Sequence, residues 1–103
     1  MTALAEALKV NRTVTYIELA YNEIGNEGVQ ALAEALKVNT TLTNINLNNN
    51  IFEKKGAQAL AEALKVNRTV TKINLFNPLM GNEGKEALRK LVEEKKQMGL
   101  DIE

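Results

Sequence analysis

Residues 3–15 read ALAEALKVNRTVT, and residues 59–71 read ALAEALKVNRTVT again, letter for letter. Between them, residues 31–43 read ALAEALKVNTTLT, so the spacing is 28 residues both times. A fourth start, ALRKLVEE, falls on the same phase at Ala87. Self-similarity at a fixed period of this length marks a stack of like units rather than one irregular core. The chain reads as one domain, with repeats 3–30, 31–58 and 59–86 and a terminal half-repeat 87–103.

Each unit changes its apolar period half-way. Leu32 and Leu36 stand four apart with Ala31 and Ala35 beside them, a narrow apolar stripe on a helix whose outer face carries Glu34 and Lys37. The second half reads V-x-x-I-x-L or its equivalent: Val14, Ile17, Leu19; Leu42, Ile45, Leu47; Val70, Ile73, Leu75. The I-x-L pair is a strand alternation. Gly25, Gly28, Gly56, Gly81 and Gly84 punctuate the return to the helix. Asn26 and Asn82 are the expected helix N-caps, just ahead of Glu27 and Glu83.

One strand and one helix cannot bury an apolar stripe alone. Stacked side by side, such units share a continuous core. The predicted fold is therefore α/β, a solenoid with a curved parallel sheet and outer helices. The small alanines let neighbouring helices approach closely.

The stretches VTYIELAYNEIG and LTNINLNNNIF resemble the leucine-rich-repeat signature L-x-x-L-x-L-x-x-N-x-L. The 28-residue length and the ALAEAL helix resemble the ribonuclease-inhibitor-like subclass, which includes NOD-like receptor sensor regions, Ran GTPase activators and the tropomodulin C-terminal domain. The resemblance implies a protein-recognition role on the concave strand face. Asn22 and Asn50 match the signature asparagine, whose side chain is expected to bond backbone groups of the turn. The third repeat has Pro78 at that position, which offers neither amide nor N–H. Asn77 stands one residue early and is not expected to substitute, so an altered loop is predicted at Phe76–Met80.

Composition removes most chemistry. There is no Cys and no His, so no thiolate, no usual general base and no common metal ligand. No glycine-rich phosphate loop or paired catalytic carboxylate is present, and no enzyme activity, cofactor or metal site is expected. Lys plus Arg and Asp plus Glu are 13 each, which argues against nucleic acid or a membrane surface as partner. No apolar run approaches the ~18 residues that span a bilayer, and the expected setting is the cytoplasm. Asn11-Arg12-Thr13, Asn39-Thr40-Thr41 and Asn67-Arg68-Thr69 match a glycosylation acceptor pattern. Their fixed phase assigns them to the helix-to-strand turn instead. Lys54-Lys55 and Lys95-Lys96 read as solvated helix faces.

The phase also names the candidate partner-binding residues, those alternating with the core Ile and Leu. They are Tyr16, Glu18 and Ala20; Asn44, Asn46 and Asn48; Lys72, Asn74 and Phe76, with Tyr21, Asn49 and Asn77 at the rim. Neighbouring repeats differ here while their core positions match. Two exposed aromatics and a lysine among asparagines suit protein recognition. Glu18 is the sole acid in this set. A merely solvated face is the plainer reading of the same pattern, and a duplicated or engineered scaffold or a GTPase-regulating module are the rival functions.

The two ends differ. Residues 85–97 and the alternation Leu100, Asp101, Ile102, Glu103 read as a charged cap with a last short strand, and Gly99 suits the position after a helix. At the other end Leu4, Leu8, Val10 and Val14 have no polar cap before them. The strand near Val14–Leu19 would be an edge strand. A homodimer through this N-terminal repeat is the expected assembly.

Overall fold

A computed structural model describes residues 1–95 and 99–102. Among the described residues four α-helices alternate with four short strands: α1 Thr2–Val10, β1 Tyr16–Glu18, α2 Asn26–Leu36, β2 Asn44–Asn46, α3 Lys54–Val66, β3 Lys72–Asn74, α4 Gly81–Glu94 and β4 Asp101–Ile102. The strands form one parallel sheet in the order β1-β2-β3-β4. The register is Tyr16, Asn44, Lys72, Asp101 in one row and Ile17, Ile45, Ile73, Ile102 in the next. The helices pack in sequence along one face of the sheet, α1 on α2 on α3 on α4. The molecule is a slab of 34 × 32 × 18 Å.

The core lies between the two layers. Leu32, Leu36, Leu42, Ile45, Leu47, Leu60, Leu64 and Ile73 are fully buried, as the two periods predict. Phe52 joins them, the large member of a row with Ile24 and Met80 in the strand-to-helix loops. Close helix packing depends on a glycine row as well as on alanines. A Cβ on Gly56 would stand 2.9 Å from the side-chain oxygen of Asn26 and 2.9 Å from the Phe52 Cβ.

Several expectations need correction. Asn26 is the first residue of α2, not its cap, and its Oδ1 accepts N–H bonds from Glu53 and Gly56, both 2.9 Å. It therefore caps the following helix, α3, across the repeat boundary. Asn82 likewise lies inside the first turn of α4, which starts at Gly81. The loop at Phe76–Met80 is altered as expected, with a 3-10 turn at Pro78–Met80. Asn77 nonetheless takes part of the missing asparagine's work. It is buried, donates to the Phe52 carbonyl at 2.8 Å and accepts from Leu79 N–H at 3.0 Å.

The N-terminal end is less open than its sequence suggests. Leu8 and Ala5 are buried against α2, Leu4 is half-buried, and Met1 packs over Gly28. Val10 and Val14 are exposed. At the other end Leu100 is buried and β4 pairs with β3. Lys96, Gln97 and Glu103 lie outside the described residues.

Candidate functional site

The strands are held in register by two asparagine series that cross from repeat to repeat. In the first, Asn50 Oδ1 accepts from the N–H groups of Asn22 and Ile24, both at 3.0 Å, and Nδ2 donates to the Leu19 and Leu47 carbonyls at 2.9 Å. The Asn22 side chain is exposed, and its Nδ2 donates to the Ala20 carbonyl at 3.1 Å. The second series is Asn11, Asn39 and Asn67. Asn39 Oδ1 accepts from Thr41 N–H at 2.9 Å and Leu42 N–H at 2.8 Å, while Nδ2 donates to the Leu8 carbonyl at 2.8 Å. Asn67 repeats the pattern toward Thr69, Val70 and Leu36. Buried amides spent in this way are turn chemistry, as the fixed phase implied.

Lys95 extends the second series. It stands 28 residues after Asn67 and its Nζ donates to the Asn67 carbonyl at 2.6 Å. Contrary to the expected solvated helix face, Lys95 is half-buried, because its ammonium fills the place of the next asparagine. Burial, and then the nearby charge of Arg68, hold its ammonium pKa below the usual lysine value. The signal was available: the same asparagine recurs at each helix end, and the fourth member is this lysine.

On the strand face, the first row is Tyr16, Asn44 and Lys72, with Asp101 at the next register position. The second is Glu18, Asn46 and Asn74. Glu18 is the hub of the first repeat. Its Oε1 accepts from Ala20 N–H at 2.8 Å, and its Oε2 accepts from Tyr16 Oη and Asn46 Nδ2, both at 3.0 Å. The Ala20 N–H bond, helped by Tyr16 and Asn46, holds the Glu18 carboxyl below its ordinary pKa against a desolvation effect. The bond to Glu18 in turn raises the Tyr16 phenol above its ordinary value.

The structure thus sorts the candidate residues. Asn46 accepts from Asn48 N–H at 3.0 Å, and Asn48 accepts from Phe76 N–H at 2.7 Å. These two asparagines and Glu18 serve the sheet's own backbone, so solvated or structural chemistry explains much of their choice. Asn44, Asn74 and Lys72 are half-buried. Tyr16, Tyr21 and Phe76 are exposed, at 52, 77 and 64%. Ile51 and Leu79 are exposed near them on the loops, and the alternation rule did not reach that far. Among the described residues no group of three His, Cys, Asp or Glu side chains could hold a metal, and no helix is long and apolar enough to cross a membrane.

Known proteins share this architecture. The "Leucine Rich repeat" family matches residues 10–33 and 38–61. A solved structure described as leiomodin-1 actin-binding site 2 superposes with a TM-score of 0.88 at 30% identity, covering 98% of this chain and 59% of that one. The tropomodulin C-terminal domain of Caenorhabditis elegans superposes with a TM-score of 0.76 at 13% identity, covering 98% and 61%. The second likeness is one of fold alone. The chain spans about three-fifths of the length of either structure. No curated protein matches the sequence.

Proposed function

We propose, from the match of two of its repeats to the leucine-rich-repeat family, that this chain is a non-catalytic protein-binding module that recognises its partner on the strand face. The observation that carries the reading is the exposure of Tyr16 on β1 and of Phe76 just past the end of β3, on a sheet whose core positions match from repeat to repeat. Aromatics weigh heavily at interfaces because they bury large rigid surfaces. Lys72 lies in the same row as Tyr16 and adds a charged contact. Glu18, Asn44, Asn46, Asn48, Asn74 and Tyr21 complete the proposed contact set. A cytoplasmic setting belongs to the same proposal and rests on composition.

The leiomodin-1 structure is named for an actin-binding site, so actin is the first partner to test. Labelled chain titrated with purified monomeric actin should bind saturably. Tyr16→Ala and Phe76→Ala should each weaken binding about tenfold or more with little change in melting temperature. If Glu34→Arg, on the outer helix face, hurts more than both, the strand-face reading is wrong.

Self-association is a second reading. It is favoured by β1, which is an edge of the sheet with Tyr16 and Glu18 on it. The apolar surface there is reduced by the burial of Leu8, and Glu18 already occupies the Ala20 N–H. Light scattering across a dilution series decides it: a mass that stays at 11.4 kDa rejects the homodimer.

A further inference from the structure

Four large apolar side chains stand exposed on the strand-to-helix loops: Tyr21, Ile51, Phe76 and Leu79. They come from three consecutive loops that bond to one another. Tyr21 N–H donates to the Asn48 carbonyl, Asn49 N–H to the Phe76 carbonyl, and Ile51 N–H to the Ile24 carbonyl. The core does not require these four. Phe52 and Met80, next to Ile51 and Leu79, are the residues that turn inward. Tyr21 is also held at φ 60°, in the left-handed region that bulky side chains rarely enter. The matching position in the next repeat is Asn49 at φ 59°, a residue suited to it. A strained, exposed tyrosine where asparagine would serve the fold better points to a role outside the fold.

Charge separates the two rims of the sheet. The loops 19–25, 47–53 and 75–81 carry Glu23 and Glu53 and no Lys or Arg. The opposite turns, 11–15, 39–43 and 67–71, carry Arg12 and Arg68 and no acid. Lys54 and Lys55 follow Glu53 at the start of α3, but Lys54 is paired with Glu83, so the rim that carries the exposed apolar side chains keeps a small acidic excess.

We propose that this loop rim docks one face of an amphipathic α-helix of a partner protein, with an apolar stripe flanked by Lys or Arg. The proposal rests on the reading of the chain as a protein-binding module and names the partner's chemistry. The dimensions agree. Adjacent strands lie ~4.8 Å apart and one helical turn rises ~5.4 Å. Successive turns of a helix laid across the strand ends meet successive loops, with anchors at i, i+3 or i+4, and i+7. Glu23 and Glu53 then face the basic flank.

A fluorescent Leu/Lys amphipathic peptide of about five helical turns, titrated with the whole chain, tests this. A Leu/Glu peptide of the same pattern is the control. The Leu/Lys peptide should bind about tenfold or more tightly than the control, and Tyr21→Asn and Phe76→Ser should each cost about tenfold. Tyr21→Asn should also raise the melting temperature, so its loss of binding cannot be blamed on unfolding. Equal affinity for the two peptides, or undiminished binding by both variants, overturns the proposal. If the chain binds actin through Tyr16 but takes up neither peptide, the rim proposal fails alone. If actin and peptides both fail to bind, the rim proposal fails and actin is excluded as the partner of the strand face.

Discussion

Asn39 and Asn11 stand at the same phase of neighbouring repeats and have different energetics. Both accept two N–H bonds in their own turn. Only Asn39 is buried and also donates back to the previous helix, at Leu8. Asn39→Ala leaves two N–H groups and a carbonyl short of partners and should cost about 2–4 kcal/mol in denaturant melts. Asn11→Ala, at the half-exposed end, should cost under about 1 kcal/mol. Equal losses would mean that the cross-repeat bond contributes little. Glu18 gives a second residue-scale expectation. Its folded pKa is lowered, so the stability it adds is full above the ordinary carboxylate range and is lost as pH falls through the folded pKa. Glu83 shifts the same way through its bond to Lys54. Stability should therefore decline below about pH 4.5, and Glu18→Gln should flatten part of that decline. An unchanged acid limb in that variant would contradict the assignment.

At the scale of elements, the two apolar periods placed every helix and strand on the correct layer, because burial alone sets those periods. What the periods could not show was which unit a polar side chain serves. Asn26 looks like a local cap because caps precede helices in sequence, yet it bonds Glu53 and Gly56 of the next helix. Asn77 looked misplaced by one residue, yet the turn at Pro78–Met80 re-aims it onto Phe52. On the strand face, Asn46 donates to Glu18 of the preceding repeat and Asn48 accepts from Phe76 N–H of the following one. Each difference is a contact between repeats, invisible to a reading that takes one unit at a time. If Asn26 caps α3, Asn26→Ala should destabilise by about 1 kcal/mol. Amide exchange should then quicken at Glu53 and Gly56 rather than at the start of α2. Faster exchange confined to residues 27–30 would restore the local-cap reading.

For the whole molecule, stability comes from stacking, and the middle of the stack holds the most of it. Leu36 is fully buried between neighbouring units. Leu36→Ala should cost about 2–5 kcal/mol, and a loss under about 1 kcal/mol would count against the layer assignment. A rigid stack of this kind fixes the strand face as one surface while leaving its side chains free to differ, which is what a recognition surface needs. The most direct test of that claim is an amide chemical-shift map recorded while purified monomeric actin is added to the labelled chain. The account predicts changes grouped at residues 16–21, 44–49 and 72–77, with the outer faces of α2 and α3 unmoved. Changes centred on Glu34, Lys37 and Glu62, with the strands silent, would contradict it.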